Sequence, residues 1–255
     1  MKIIFLMLDS QNGPWGDLFS EGAEKTWALE ISKEDQFFRY QGIGSDIFSI
    51  SIPKNLQNTR YNKVIWPLME RKNFERKSQI RIQKNGRVLE IDIPDRWSSI
   101  STKSLIAFKY CLEHTDFDFL IRGNATSYFN LEALKKFLNK SQYNYVGPIQ
   151  KSKPFASGWS IGLSREATEY LIMNFTREEL KYFDDEAFGR ILTPKFGCAS
   201  MPFLELDSLQ SLQAHSKFGL KSIPAIRTKS IVNGTREDAL IQNKLHYLMN
   251  SLKSK

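Results

Sequence analysis

Short apolar runs alternate along the chain with longer segments in which apolar residues recur at helical spacing. The apolar runs predict buried strands at 3–8, 117–121, 143–147 and 157–163. Two more short strands are predicted within 36–53, and a hairpin about Asn85-Gly86 within 79–92. Helices are predicted at 22–29, 99–111, 131–138, 165–173, 184–192 and 238–252. Because strands alternate with helices, the pattern predicts an α/β layer fold.

The domain organisation follows from length and from local changes of composition. A chain of 255 residues can bury a substantial core, so residues 1–255 are expected to form a single domain. Residues 54–95 are the least regular part and are interpreted as a variable insertion. Residues 203–255 are polar and basic until the last predicted helix and are interpreted as a C-terminal closing segment. Ser164 precedes a predicted helix and is expected to cap its N-terminus.

The composition is that of a folded protein, with 41% hydrophobic and 25% charged residues. Cys111 and Cys198 are the only cysteines, too few for a disulfide framework, and they indicate a reducing cytosol. The apolar run that opens the chain is short and lacks a small-residue cleavage site. No later run is long enough to span a bilayer. Together these features predict a cytoplasmic protein.

The formal net charge of +8 has competing explanations. It fits phosphate-bearing substrates or an anionic membrane surface. It fits equally well a drift toward lysine in an AT-rich genome. The basic residues that crowd 70–87 are interpreted as a solvated face. Because the chain has no recognised nucleic-acid-binding motif, nucleic acid is not an expected partner.

Residues 115–130 are the most informative stretch of the sequence. An apolar strand is predicted at 117–121, a helix at 131–138, and the intervening turn is polar, with Arg122, Asn124 and Thr126 among its residues. In an open α/β sheet, ligands bind outside the carboxyl ends of the strands. The sequence therefore predicts a ligand site at this turn.

Five segments resemble, in the same order, motifs of the β-1,3-galactosyltransferase and Fringe-like glycosyltransferases. They are Lys25-Thr-Trp27 (R-x-T-W in the family), Asp92-Ile-Pro-Asp95 with Lys103 (D-x-x-D…K), Arg122–Asn130 (K-T-D-D-D-x-F-x-N), Phe155–Arg165 (Y-C-S-G-x-G-Y-V-L-S-R) and Asp184–Gly189 (E-D-V-x-x-G). The resemblance covers roughly residues 20–30 and 90–192. It implies a GT-A fold, which is a Rossmann-like mixed sheet flanked by helices.

The chain departs from the family at the metal site. The family's Asp-x-Asp pair holds a divalent cation on the donor diphosphate, whereas Asn124 and Thr126 stand at the matching positions. Because hard cations prefer carboxylate and water ligands, no metal cofactor is expected. Basic side chains would then neutralise the diphosphate. The candidates are Lys103, Arg122, Arg227, Lys229 and Arg236, and for Arg227 and Lys229 the alternative is an ordinary solvated surface.

Asp185 is the predicted catalytic residue, because the family's general base falls on it when Gly189 is aligned. An inverting transferase needs one such base to remove the proton of the acceptor hydroxyl. The alternative interpretation is that Asp184, Asp185 and Glu186 merely favour the first turn of a helix through its dipole.

Further contacts are predicted for the sugar and for the nucleoside. Ser157, Gly158, Trp159 and Asp184 are predicted to bind sugar or acceptor, with Trp159 stacking on a pyranose face, although core packing of Trp159 is an equally ordinary outcome. Asp9 and Ser10 end the first strand, where GT-A folds hold base and ribose. The alternative for this pair is a polar turn that ends the strand.

The resemblance thus implies a metal-independent, inverting glycosyltransferase. The expected donor is a nucleotide sugar, with a UDP-sugar favoured, and the expected acceptor is a glycan or a lipid-linked sugar in surface polysaccharide synthesis. The basic charge suits peripheral contact with the inner face of a membrane. The alternative, from another functional class, is a catalytically inactive GT-A-like domain that binds a glycan or a partner protein.

Overall fold

The computed structural model describes residues 1–10, 13–44, 80–82, 86–140, 142–150, 153–215 and 219–253. Within these residues an eight-stranded mixed sheet forms the centre of the molecule. Its strands, in the order in which they lie side by side, are β3 (Ile80–Ile82), β4 (Val88–Pro94), β2 (Gln36–Gly44), β1 (Ile3–Leu8), β5 (Phe119–Asn124), β8 (Ser160–Ser164), β7 (Tyr145–Gly147) and β9 (Ala199–Ser200). The strands β4, β2, β1 and β5 are parallel, whereas β3 and β8 run antiparallel to their neighbours in that group.

Helices cover both faces of the sheet. They are α1 (Trp15–Glu21), α2 (Ile100–His114), α3 (Leu131–Lys140), α4 (Arg165–Asn174), α5 (Asp184–Phe196), α6 (Leu209–His215) and α7 (Asp238–Lys253). Alternate residues of β1 pack into two hydrophobic clusters, with Phe5 in one and Leu6 in the other. The first cluster includes residues of α1, α3, α6 and α7, and the second includes residues of α2, α4 and α5. The predicted mixed α/β sheet flanked by helices is therefore confirmed.

Short strands of the described residues also form two smaller sheets outside the central one. Strands β10 (Phe203–Glu205), β11 (Ala225–Arg227) and β6 (Ser127–Phe129) form a separate sheet. Strands β12 (Ile231–Val232) and β13 (Thr235–Arg236) form a short hairpin. None of the helices in the described part of the chain has the length and apolar character needed to cross a bilayer.

Several elements agree with the sequence predictions. β1 has the predicted bounds, and α3, α4 and α7 begin where they were expected. The side chain of Ser164 caps α4, since its hydroxyl accepts a hydrogen bond from the Ala167 amide at 3.1 Å. β3 and β4 pair antiparallel as the hairpin prediction requires, although residues 83–85 between them lie outside the described part.

The prediction of a helix at 22–29 was wrong. Helix α1 begins earlier, at Trp15, and ends at Glu21, and only short 3-10 turns follow. The backbone leaves helical geometry at Gly22 (φ −106°, ψ −94°), where a Cβ would lie only 2.6 Å from the Leu18 carbonyl oxygen, so a side chain does not fit. Trp27 is then buried, and its indole N–H donates to the Ser127 carbonyl at 3.1 Å. Tertiary packing of Trp27 thus overrides the local helical pattern.

Other bounds differ from the predictions or extend them. Within 36–53 the structure describes one strand, β2, and any second strand would fall on residues 45–53, which lie outside the described part. Residues 88–94 pair in parallel with β2 and so belong to the central sheet. β5 continues through Arg122 to Asn124, because these residues still pair with β1. The predicted turn therefore starts after Asn124.

Candidate active site

A cavity of about 220 Å³ lies at the carboxyl ends of β1, β4 and β5. It is lined by Leu8, Asp9, Ser10, Trp15, Asp95, Arg96, Trp97, Ile100, Lys103 and Asn124. From β1 the chain builds the sheet first on one side, through β2 and β4, and then on the other, through β5. The cavity thus lies where the strand order reverses, which is where open α/β sheets bind ligands. Of the predicted site residues, Asp9, Ser10, Lys103 and Asn124 meet here.

Two acids in the wall of this cavity, Asp9 and Asp95, are paired with cations. Asp9 is buried and forms an ion pair with Arg39, which reaches it from β2. Burial raises the pKa of the Asp9 carboxyl, and Arg39 opposes that shift. Asp95 accepts hydrogen bonds at 2.6 Å from the Ser10 hydroxyl and from the Lys103 ammonium. Each acid in this group therefore has its own cation, which suits the uncharged polar groups of a nucleoside.

Lys103 does not have the position predicted for a phosphate ligand. Its side chain is 2% exposed and its ammonium is held against Asp95. A buried ammonium needs such a partner, because an unpaired charge in a protein interior costs several kcal/mol. The structure therefore assigns Lys103 to the wall of the cavity, where it fixes Asp95.

Two tryptophans line the cavity that the sequence analysis did not single out. Trp97 follows β4 in a 3-10 turn and is 67% exposed, which is unusual for so large an apolar ring. Trp15 opens α1, and the guanidinium of Arg236 lies 4.5 Å from its ring centroid. Arg236 is itself held by Asp238 at 2.6 Å. The feature of the sequence that could have identified them is a tryptophan in a polar segment directly after a predicted strand.

The turn after β5 does not fit a divalent cation. The Asn124 side-chain oxygen accepts hydrogen bonds from the Thr126 amide at 3.0 Å and from the Thr126 hydroxyl at 2.8 Å. The turn is thereby closed on itself, and Thr126 is 4% exposed. The Asn124 and Thr126 side chains are thus hydrogen-bonded to each other, and neither carries a carboxylate.

The C-terminal segment meets this same turn. The Thr228 amide donates to the Thr126 carbonyl at 2.8 Å, and Arg227 pairs in register with Ser127 across β11 and β6. Arg227 is half-buried and lies 3.4 Å from Glu205, and its Nε is buried with no hydrogen-bond acceptor among the described residues. Lys229 is exposed. Arg227 and Lys229 thus stand on either side of Thr228, the residue that is hydrogen-bonded to the turn. Their contact with a diphosphate stays a prediction.

A second group of predicted residues surrounds the start of α5. Arg122 forms an ion pair with Asp184, and it donates to the Gly158 carbonyl oxygen and, at 3.2 Å, to the Tyr40 hydroxyl. Burial, the largest single influence, disfavours the charge of Arg122, but Asp184, Tyr40 and Asp185 together outweigh it and hold the pKa of the guanidinium above its ordinary value. Because Arg122 is 2% exposed and has these partners, the predicted direct contact with phosphate is revised.

Asp185 is half-buried beside this group. One carboxylate oxygen accepts from the Gly158 amide at 3.2 Å, and the other accepts from the Glu186 amide at 2.9 Å. A carboxylate can accept about four hydrogen bonds, so each oxygen of Asp185 keeps capacity for a substrate proton. Asp184, in contrast, is occupied by Arg122, so its predicted contact with the acceptor is not favoured.

The prediction that Trp159 forms a sugar platform is not supported. Its side chain is 2% exposed, and its ring packs edge-on against Phe203 with centroids 6.1 Å apart. No face is left for a pyranose, so the core-packing alternative describes this residue. Ser157 and Gly158 remain partly accessible next to Asp185, and the ring of Phe183 is 69% exposed at the start of α5.

No protein-family model matches the chain, and no curated protein sequence matches it. Among solved structures, the chain is similar to galactosyltransferase LgtC in complex with donor and acceptor sugar analogs. The sequence identity is 10% and the TM-score is 0.49, over 98% of this chain and 96% of that chain. A likeness of this size supports no conclusion about function, and the proposals below rest on the residues of this chain.

Proposed function

We propose that this chain is a GT-A glycosyltransferase that moves a sugar from a nucleotide-sugar donor to a glycan or lipid-linked acceptor without a metal ion. The observation that supports this most is the cavity at the point where the strand order reverses. It has an exposed tryptophan, a largely apolar lining that includes two acids paired with cations, and a turn at its edge that is hydrogen-bonded to Thr228, between Arg227 and Lys229. An exposed aromatic ring, polar groups and nearby cations match the base, ribose and diphosphate of a nucleotide sugar.

The donor binds with its nucleoside in the cavity and its diphosphate at the Asn124 turn. Trp97 stacks on the base, and Ser10 and Asp95, which line the cavity, contact the ribose hydroxyls. The buried Asp9 holds the wall together through Arg39. Arg227 and Lys229 neutralise the diphosphate as its charge grows. Such charge stabilisation by fixed side chains is commonly the largest catalytic contribution in group transfer. A UDP-sugar is the favoured donor.

Asp185 acts as the general base of an inverting reaction. Its carboxylate takes the proton of the acceptor hydroxyl while the acceptor oxygen forms a bond to the anomeric carbon. The bond from that carbon to the diphosphate oxygen breaks, and its electron pair leaves with the diphosphate. The attack comes from the face opposite the leaving group, so the anomeric configuration is inverted.

An assay of turnover tests this function against its rival. Wild-type protein is incubated with UDP-, GDP- and CMP-sugars, with and without simple sugar acceptors, and nucleotide release is measured. Release above the uncatalysed rate supports the transferase. The rival is an inactive domain that binds a glycan or a partner, and it is favoured by Lys103 and Arg122 being paired internally. Absence of release with every donor would favour the rival.

Trp97→Ala is expected to weaken nucleoside binding about 10-fold, because stacking of a base on an aromatic ring contributes about 1–3 kcal/mol. Calorimetry with uridine, cytidine and guanosine measures the loss. Trp97→Phe is the matched control, since it keeps an aromatic face and is expected to retain most of the affinity. Equal affinity for wild type and Trp97→Ala would place the base elsewhere.

A further inference from the structure

Both backbone polar groups of Gly158 are engaged, and they link Arg122 to Asp185. The carbonyl oxygen of Gly158 accepts a hydrogen bond from Arg122, and its amide donates to Asp185 at 3.2 Å. A Cβ at Gly158 would lie 3.2 Å from Arg122 Nη1 and 3.4 Å from Asp185 Cβ. The residue is therefore packed between the two charged side chains, and its position sets where the carboxylate of Asp185 lies.

Arg122 is also connected to the Asp185 carboxylate through Asp184, the preceding residue in the chain. Arg122 forms an ion pair with Asp184, which begins α5 and directly precedes Asp185. The guanidinium is held in place from another strand, because its Nε donates to the Tyr40 hydroxyl at 3.2 Å. The Tyr40 hydroxyl is in turn 2.7 Å from the Ser104 hydroxyl of α2. The guanidinium fork is thus fixed between the sheet and two helices.

Because Arg122 is buried, its guanidinium is not placed to contact a ligand directly. Arg122 is 2% exposed, so a substrate cannot reach its guanidinium without displacing protein groups. A planar fork that satisfies two acceptors at once is a geometry that lysine cannot reproduce. With these contacts, Arg122 can affect a reaction at Asp185 only indirectly, by holding Gly158 and the start of α5 in place.

We infer that Arg122 is a positioning residue, which holds the carboxylate of Asp185 in the orientation needed to take the acceptor proton. The inference rests on the proposed function and adds to it, because it gives a role to an arginine that was predicted to neutralise the donor diphosphate in place of a metal. Arg122 acts through the Gly158 backbone and through Asp184, and it touches neither substrate.

A double-mutant cycle in kinetics tests this role. Arg122→Lys keeps the charge but loses the fork, and it is expected to lower kcat about 10-fold with the donor Kd unchanged, since small misplacement of a reacting group is costly. In a background of Asp185→Asn, the same change is expected to lower kcat no further, because the group that it positions no longer acts as a base. Arg122→Met is expected to lose more than Arg122→Lys.

Two further variants keep the test decisive. Tyr40→Phe removes only the hydroxyl that accepts from Arg122 Nε, and it covers the case in which Arg122 variants do not fold. It is expected to lower kcat a few-fold, again without effect in the Asp185→Asn background. Arg165→Met is the matched control, since Arg165 also donates to two backbone carbonyls and pairs with a glutamate. It is expected to leave kcat unchanged.

If the losses of kcat in Arg122→Lys and Asp185→Asn multiplied in the double variant, the inference would be wrong, whereas the proposed function would still stand. A rise in donor Kd for Arg122→Lys, with kcat unchanged, would also overturn it and return Arg122 to the phosphate. A wild-type protein that turns over no donor would refute the proposed function, and the role of Arg122 with it.

Discussion

Replacing Asp185 by asparagine is expected to lower kcat by at least about 10²-fold, because a general base contributes about 10²–10⁴-fold to a rate. Asparagine keeps the shape of the side chain, and its one carbonyl oxygen can still accept from either the Gly158 or the Glu186 amide, but it cannot take a proton. The donor Kd is expected to stay nearly unchanged, since Asp185 does not line the nucleoside cavity. Steady-state kinetics gives kcat, and calorimetry with the nucleoside diphosphate gives the affinity.

The matched control for Asp185→Asn is Glu186→Gln. Glu186 stands in the same first turn of α5 and is also half-buried, so this variant loses the same charge near the same helix dipole. Its kcat is expected to remain close to that of wild type. If both variants lost activity equally, the acids would act through the helix dipole alone. If Asp185→Asn kept the kcat of wild type, the general base would have to be a neighbouring carboxylate.

Replacing Arg227 by alanine is expected to weaken binding of a nucleoside diphosphate by about 10- to 100-fold, because a hydrogen bond to a charged group contributes about 1.5–3 kcal/mol. Turnover is expected to fall further, since the charge of the leaving group is greatest in the transition state. Nucleoside binding is expected to stay nearly unchanged, because the nucleoside has no phosphate. Calorimetry with matched pairs, such as uridine and UDP, separates the two effects.

Lys109→Ala is the control for the loss of one positive charge. Lys109 is exposed on α2 and pairs with Glu113 in the next turn, so its removal changes the net charge without touching the turn after β5. Its diphosphate affinity is expected to match wild type. Equal losses for uridine and UDP in Arg227→Ala would indicate a disturbed cavity. If neither affinity fell, Arg227 would be an ordinary solvated surface charge rather than a phosphate ligand.

Local patterns predicted most of the sheet and helices, because they are produced by residues close in sequence. The apolar run 3–8 is buried on both faces and could only be a central strand. Ser164 caps α4 through an amide three residues away, and Asn130 accepts from the Ala133 amide in the same way at the start of α3. The rule that ligands bind at the carboxyl ends of strands predicted a site at the turn after β5, and the GT-A resemblance placed Asp9 and Ser10 at the nucleoside. These inferences needed no knowledge of distant contacts.

The roles of the charged residues could not be predicted in the same way, because they depend on partners far apart in the chain. A sequence shows that Arg122 is charged, but its partner Asp184 comes from a different element and is brought close only by the folded sheet. The exposed fraction of a tryptophan is likewise set by tertiary packing. Trp159 was equally compatible with a sugar platform and with the core, and it is buried, whereas Trp97 was not among the predicted site residues and is exposed.

The central claim is glycosyl transfer without a metal, and turnover in the presence of a chelator tests it most directly. Nucleotide release from the best donor is measured in excess EDTA, then after addition of Mn²⁺ or Mg²⁺, with Asp185→Asn in parallel as the control for contaminating activity. The account predicts the same rate with EDTA as without it, no gain from either cation, and loss of that rate in Asp185→Asn. Activity abolished by EDTA and restored by Mn²⁺ would contradict it.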